Sequence, residues 1–320
     1  MKKALVFLAD INEQHVEKLK KAAEGCELVF KAPAEVTQAD LDAPYDAVVG
    51  LVPPKFLHGQ SYELLQLSSA GADAYVKPGV LGEGTTLCCC TGAYSQTVSE
   101  HALASTLMLL KKLHLYRDDQ AKHVWVDEGT TGTIDGETVL VMGLGDIGRY
   151  YARMAKALGA YVIGVKRRPG GDKPEFVDEL YTTDQFDEIV GRADVIFSVM
   201  PGTPATTHFY TLERFALMKP SAIFVNCGRG TAVSADVLYE ALEKKLVAAA
   251  AVDVFETEPL PAESPLWDLQ NLLLTPHASG FFHLPATINR VVDICADNLK
   301  AWATGGEYRN IVDFESGYKK

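Results

Sequence analysis

Residues 138–168 restrict the possible folds more than any other stretch of the chain. The apolar run Thr138-Val139-Leu140-Val141-Met142 predicts a strand, and Gly143-Leu144-Gly145-Asp146-Ile147-Gly148 breaks it. Tyr150, Met154, Ala157 and Leu158 then recur at helical spacing until Gly159 stops the helix. A second apolar strand, Ala160-Tyr161-Val162-Ile163-Gly164-Val165, runs into Lys166-Arg167-Arg168. A lone G-x-G-x-x-G is a weak signal, but strand, glycine loop, helix and strand within about thirty residues form the frame in which it marks a dinucleotide site. One glycine allows the tight turn, the next lets backbone approach a pyrophosphate, and the third lets helix and strand pack closely. The unpaired N–H groups and the dipole at the helix N-terminus favour the anion. Gly143, Gly145 and Gly148, with Asp146 and Ile147 between them, are therefore expected to hold a dinucleotide.

The same alternation extends in both directions. Before this unit, residues 4–8, 26–30, 46–50 and 67–73 read as strands, 12–23 as a helix and 62–65 as a short helical turn. After it, strands are expected at 195–200, 222–226, 247–252 and 272–275. Near-continuous apolar runs such as Val195-Ile196-Phe197 and Ala222-Ile223-Phe224-Val225 indicate strands buried on both faces of a parallel sheet. Long helices are expected at 98–116, with Ala102, Leu103, Leu107, Leu110 and Leu113 on the apolar face, and at 285–303, with Pro285 in the first turn. A chain of 320 residues suits about two domains. The expected class is α/β, with two doubly wound parallel-sheet domains joined by the long helices as a hinge. A discontinuous domain takes 1–97 and 286–320, and the dinucleotide domain takes 98–285.

Composition removes several function classes. The net charge of −12, with no basic tract to offset it, argues against nucleic acid or an anionic membrane as partner. No apolar run approaches the ~18 residues of a membrane span. The N-terminal run ends at Asp10 and precedes a charged amphipathic segment, which is a first strand and helix rather than a secretory leader. Cys88-Cys89-Cys90 fits neither a disulfide framework nor zinc spacing, and reads as a buried strand of small residues in a reducing cytoplasm. No metal site is expected.

Ligands of open α/β sheets lie beyond the carboxyl ends of the strands. The polar residues there are Pro201-Gly202-Thr203-Pro204, Cys227-Gly228-Arg229-Gly230, Asp253, Glu256, Glu258 and His277. Arg229 stands between two glycines, where a guanidinium could grip a carboxylate with two parallel N–H···O bonds; the ordinary alternative is a surface arginine that caps a turn. His277 follows Thr275-Pro276 and precedes Ala278-Ser279-Gly280, so its ring has room to face a cleft, although a histidine bonded into a structural turn would look the same. Glu258 alone would read as a solvated loop carboxylate. Together the three suit reduction of a 2-keto acid, which needs a cation for the carboxylate, an acid for the nascent alkoxide and a hydride donor. Glu258 against His277 would favour the imidazolium, raise its pKa and set its tautomer.

The succession Gly143-Leu144-Gly145-Asp146-Ile147-Gly148, Asn226-Cys227-Gly228-Arg229-Gly230, Asp253-Val254-Phe255-Glu256-Thr257-Glu258-Pro259-Leu260 and Thr275-Pro276-His277-Ala278-Ser279-Gly280 resembles the D-isomer-specific 2-hydroxyacid dehydrogenase family. Ser69-Ala70-Gly71-Ala72-Asp73 and Val98-Ser99-Glu100-His101-Ala102-Leu103-Ala104 resemble further motifs of it, so the likeness covers nearly the whole chain in order. The resemblance implies a flavodoxin-like substrate domain beside a Rossmann cofactor domain. It places the catalytic arginine, glutamate and histidine on Arg229, Glu258 and His277. It implies that Asp253 bonds the nicotinamide carboxamide, with Pro201, Thr207 and Cys227 also at the cofactor. Val49, Gly50 and Leu51 would offer backbone N–H groups to the substrate carboxylate. His101 falls on the helix motif and is read as packed, with His283 the runner-up acid. A homodimer paired through the cofactor domains and the segment before the glycine loop is the family's usual state.

The chain departs from the family pattern at two places. Members that use NAD(H) generally carry an aspartate after the second strand, whereas Lys166, Arg167 and Arg168 stand here; cations suit a 2′-phosphate, so NADP(H) is preferred over NAD(H), which the site would still admit. Phe281-Phe282-His283 is bulkier than the pattern expects after Gly280. The expected activity is reduction of a small 2-keto acid to a D-2-hydroxy acid, such as glyoxylate or hydroxypyruvate. Phosphoglycerate dehydrogenase is a weaker alternative, since little chain follows the last helix to make a regulatory domain. Glu258 replaces the glutamine of the formate dehydrogenase branch. A nucleotide-sensing interaction module, like the corepressor relatives, is the alternative from another class.

Overall fold

The computed structural model describes residues 1–168, 170–171, 173–315 and 317–319. It divides into two units, Met1–Tyr94 with Phe281–Lys320, and Ser95–Gly280. In chain order the first unit opens with β1 (Lys3–Phe7), α1 (Glu13–Ala22), β2 (Glu27–Phe30), α2 (Gln38–Leu41), β3 (Ala47–Gly50), β4 (Leu64–Gln66) and β5 (Leu87–Cys88). The second unit runs α3 (Ser95–Leu110), α4 (Leu113–Lys122), β6 (Thr138–Met142), α5 (Asp146–Ala157), β7 (Tyr161–Lys166), β8 (Glu179–Thr182) and α6 (Phe186–Ile189). It continues through β9 (Val195–Ser198), α7 (Leu212–Ala216), β10 (Ile223–Asn226), α8 (Ala235–Glu243), β11 (Ala249–Val252) and β12 (Leu272–Leu274). The chain then returns to the first unit with α9 (Pro285–Thr304), β13 (Val312–Asp313) and β14 (Tyr318–Lys319).

The first unit is a parallel sheet in the order β2-β1-β3-β4-β5, the flavodoxin-like arrangement. Leu5, Phe7, Val48, Leu65 and Leu87 make the core of one face. On the other, α1 lies along α9, with His15 bonded to Asn289 and Lys18 paired to Asp293. Asn12 caps α1 by accepting the His15 N–H at 3.0 Å. Leu64 and Leu65 of the segment 62–65, expected as a helical turn, belong instead to β4, and no residue of the strand expected at 67–73 is extended into a sheet. A short apolar run reads alike in either conformation, and the register Val48 to Leu65 and Leu65 to Leu87 settles it. Cys88, Cys89 and Cys90 are buried as expected, and all six cysteines are free. Burial pushes the Cys88 thiol up to about 12.

The second unit is a seven-stranded parallel sheet in the order β12-β11-β10-β9-β6-β7-β8. Strand order reverses between β6 and β9, the point at which a doubly wound sheet opens a crevice at its carboxyl edge. Helix α5 covers β6 through Gly148, Tyr151, Ala152 and Ala155. That stripe is offset from the expected one, because Tyr150 and Met154 are only partly buried and Ala157 and Leu158 are exposed. Tyr151 stacks on Phe197 at 4.1 Å between ring centroids, worth about 0.5–1.5 kcal/mol beyond area burial.

The single helix expected at 98–116 is two, since Lys112 takes a left-handed backbone conformation (φ 55°) between α3 and α4. The face of α3 that is buried is Val98, Ser99, Ala102, Ser105, Thr106 and Leu109 rather than the leucines. Small side chains let α3 approach α5 closely, and the hydroxyls are satisfied on arrival. Ser99 donates to the Ile147 carbonyl at 2.9 Å, and Thr106 meets Tyr151 Oη at 3.0 Å. Leu103, Leu107 and Leu110 are left half-buried on the flank. No helix among the described residues is long and apolar enough to cross a membrane.

Candidate active site

Three loops at the carboxyl edge of the second sheet carry Arg229, Glu258 and His277, and close backbone packing ties them together. After β10, the buried Asn226 accepts the Gly228 N–H at 3.1 Å and donates to the Arg229 carbonyl at 3.1 Å, which shapes the Cys227–Gly230 turn. A Cβ on Gly228 would stand 2.8 Å from the Met200 carbonyl oxygen, and one on Gly230 only 2.0 Å from the Phe255 carbonyl carbon. No side chain fits at either place, so these glycines let the loop after β10 lie directly against those after β9 and β11. The Phe255 N–H donates to Glu258 Oε1 at 2.8 Å. The other oxygen, Oε2, sits 2.8 Å from His277 Nδ1. An unbroken path of contacts therefore runs from Arg229 through Gly230 and Phe255 to Glu258 and His277.

Glu258 held by a backbone N–H presents its second oxygen in a fixed direction. Nδ1 of His277 then carries the proton that this oxygen accepts. The two side chains are half-exposed, at 50% for His277 and 37% for Glu258. His277 has φ 53°, in the left-handed region that costs a non-glycine residue about 1–3 kcal/mol. Its N–H donates to the Asp253 carbonyl at 2.8 Å. Arg229 is partly buried, donates through Nη1 to the Gly228 carbonyl at 3.0 Å, and lies with its stem against Gly202.

Asp253 is 1% exposed, and both its oxygens are engaged within the loop that bears His277. His101 is packed, its Nε2 3.2 Å from Thr275 Oγ1. A second imidazole–carboxylate pair joins His208, on the loop after β9, to Glu256, on the loop after β11, at 2.5 Å. His208 lies 48 residues from Glu256 and has no motif of its own, so only the fold brings the two together.

The glycine loop has the shape a dinucleotide needs. Gly143 has φ 104°, and a Cβ there would meet the Val199 carbonyl oxygen at 2.8 Å; one on Gly148 would meet the Gly143 carbonyl oxygen at 1.9 Å. Above Gly145 the space is open, and Gly145 caps α5 with no side-chain bond, so the first N–H groups of that helix, from Asp146 and Ile147, face outward. Thr206 Oγ1 donates to the Pro201 carbonyl at 2.5 Å, and the Thr207 N–H to the Thr203 carbonyl at 3.0 Å, which makes the loop after β9 a compact turn with Thr207 exposed. Cys227 is buried, and burial raises its thiol pKa, so it is a neutral wall. At the end of β7, Lys166 bonds the Gly170 carbonyl, whereas Arg167 and Arg168 are exposed. Among the described residues no cluster of His, Cys, Asp or Glu could hold a metal.

Val49, Gly50 and Leu51 belong to the first unit. Gly50 has φ 152° and sits on the Phe7 ring, 2.7 Å from where a Cβ would be, while Leu51 is 52% exposed. Phe281, Phe282 and His283 are in that unit as well, where Phe282 lies against Tyr94 at 6.2 Å and Phe281 meets His283 edge-on at 5.5 Å.

Comparisons with known proteins agree on what this arrangement resembles. The family model "D-isomer specific 2-hydroxyacid dehydrogenase, NAD binding domain" matches residues 103–279. The glyoxylate/hydroxypyruvate reductase B of Pectobacterium carotovorum is 30% identical over 270 residues, 82% of this chain and 83% of that protein. A crystal structure of a D-isomer specific 2-hydroxyacid dehydrogenase family protein from Aeromonas salmonicida is 29% identical, with a TM-score of 0.83 over 98% of this chain and 99% of that one. The NADPH-dependent glyoxylate/hydroxypyruvate reductase of Sinorhizobium meliloti, solved with NADP and sulfate, is 25% identical, with a TM-score of 0.82 over 99% of this chain and 100% of that one.

Proposed function

Because the chain belongs to the D-isomer-specific 2-hydroxyacid dehydrogenase family and is an NAD(P)-dependent oxidoreductase of that kind, we propose that it reduces a small 2-keto acid to the D-2-hydroxy acid, with NADPH preferred and His277 as proton donor. The observation that carries this reading is the His277–Glu258 pair, linked through Phe255 and Gly230 to Arg229 at the carboxyl edge of the sheet.

Arg229 binds the substrate carboxylate and steadies the keto oxygen, so the negative charge that develops there is met by a fixed cation. His277, protonated on both nitrogens, gives its Nε2 proton to that oxygen while Glu258 keeps hold of Nδ1–H. The nicotinamide supplies the hydride when bound. One hydride to carbon and one proton to oxygen convert the carbonyl to an alcohol, and His277 is left neutral on Glu258. The glycine cradle of Gly143, Gly145 and Gly148, with the uncapped end of α5, would take the pyrophosphate. Arg167 and Arg168, exposed beyond β7 with no carboxylate in the position that marks NAD(H), favour a 2′-phosphate. Glyoxylate and hydroxypyruvate are the first substrates to try, since the Pectobacterium and Sinorhizobium relatives are named for them.

The decisive experiment follows loss of nicotinamide absorbance with NADPH and NADH separately, against glyoxylate, hydroxypyruvate, pyruvate and phenylpyruvate. We expect turnover of at least one small keto acid, with kcat/KM at least about tenfold higher for NADPH; one lost charge-assisted contact to a phosphate accounts for that factor. Equal efficiency with the two cofactors would remove the NADPH preference. No turnover of any keto acid would remove the reductase.

A homodimer is part of the same proposal. Helix α4 has ten residues and none is buried, although a helix of that length is marginal without packing. Leu113, Val124, Trp125 and Val126 around it are exposed, Trp125 completely, and Leu103, Leu107 and Leu110 are half-buried on the preceding helix α3. A second copy of the chain would cover this apolar surface. Sedimentation should give a dimer for the native chain and mostly monomer for Trp125→Asp. A monomeric native chain would refute the pairing.

A further inference from the structure

We propose that Asp253 is a positioning residue for the proton donor: its carboxylate holds the Thr275–Ser279 turn in the one conformation that sets His277 against Glu258. This rests on the reductase reading for its kinetic consequence and on geometry for everything else.

The side chain of Asp253 is a hub. Oδ1 accepts from Thr275 Oγ1 at 2.6 Å and from the Ala278 N–H at 2.8 Å, with the Ser279 N–H more distant at 3.3 Å. Oδ2 accepts from Ser279 Oγ at 2.5 Å and from the Ser279 N–H at 3.2 Å. The backbone of the same residue contributes as well, since its carbonyl accepts the His277 N–H at 2.8 Å. Residues on both sides of His277 are thus fastened to one carboxylate, and His277 itself to that residue's main chain.

Two facts make this more than local packing. His277 lies in the left-handed region, at φ 53°, so the turn is strained and relaxes unless its neighbours over-determine it. Helix α3 braces the turn from the other side with residues one turn apart. Thr97 Oγ1 donates to the Ser279 carbonyl at 3.1 Å, and His101 Nε2 lies 3.2 Å from Thr275 Oγ1, whose hydroxyl donates to Asp253. A carboxylate that is 1% exposed must be held by such donors, because an unpaired buried charge is costly. The bonds it makes within the protein aim His277.

The test is Asp253→Asn in the full-length protein. An amide keeps the shape but must turn a donor toward Ala278, Ser279 or Thr275, all of which also donate. We expect kcat with NADPH and the best keto acid to fall about a hundredfold, the scale of an ångström's misplacement of a catalytic group. The dissociation constant for NADPH, read by fluorescence titration, should change by less than about threefold while backbone amide exchange in 274–281 quickens by about tenfold or more. Ser279→Ala removes only the hydroxyl donor and should show the same pattern at about a tenth of the size. A loss of NADPH affinity as large as the loss of kcat, or exchange in 274–281 equal to that of the native chain in both variants, would overturn the proposal. Absence of keto acid turnover in the native protein would defeat the reductase reading instead, and the exchange and affinity arms would still decide the role of Asp253.

Discussion

Replacing His277 with asparagine is expected to lower kcat for keto acid reduction by about 10²- to 10⁴-fold, the usual contribution of a positioned general acid. Asparagine is the informative substitution because His277 sits at φ 53°, a conformation that asparagine tolerates far better than alanine does. The turn should therefore survive, and only the proton donor is lost. Stopped-flow or steady-state absorbance gives kcat, and fluorescence titration gives NADPH affinity, which should stay within about threefold of the native value because the glycine cradle and the basic residues after β7 lie on other loops. A variant that loses cofactor binding together with turnover would show that His277 is structural. A variant that keeps native kcat would show that the proton comes from elsewhere, and His283 would be the next candidate.

Replacing Arg229 with glutamine should cost about 10²- to 10³-fold in kcat/KM, the range for losing a hydrogen-bonded partner of a desolvated charge. The cause is specific to the carboxylate, and so is the test. The native enzyme should prefer pyruvate strongly over its uncharged methyl ester, and Arg229→Gln should nearly abolish that preference. Lysine should not rescue it, because a point charge does not reproduce the planar pair of donors. The fold should tolerate both changes, since Asn226 shapes the turn through the Arg229 backbone rather than its side chain. Full retention of the preference for pyruvate would exclude Arg229 as the carboxylate ligand. Loss of activity toward acid and ester alike would place Arg229 on the carbonyl oxygen alone.

Elements with a strong local signal were legible from the residues. The β6, α5, β7 frame, the strands that precede Arg229, Asp253 and His277, and the helix that begins at Pro285 all appear close to where the sequence reading expected them. Apolar runs bounded by glycine and proline carry that information within ten residues or so, and neighbouring strands do not contradict it. Errors arose where tertiary packing chose between local options. Helical periodicity put Ala102, Leu103, Leu107, Leu110 and Leu113 on the buried face of α3; Ala102 is buried, but its companions inside are Val98, Ser99, Ser105, Thr106 and Leu109, with Ser99 and Thr106 bonded to α5.

By itself the sequence determined the sheet class, the glycine loop and which three side chains lie just past the ends of β10, β11 and β12, since each follows from residues adjacent in the chain. Tertiary structure alone decided how those side chains are aimed. Glu258 reaches His277 across 19 residues, and Asp253 gathers donors 22 to 26 residues away. Neither arrangement has a local periodicity to announce it. A buried carboxylate must find donors wherever the fold brings them, because leaving it unpaired costs more than any local preference can offset. That requirement joins the loop after β11 to the loop after β12, and it is met only once those two strands lie side by side.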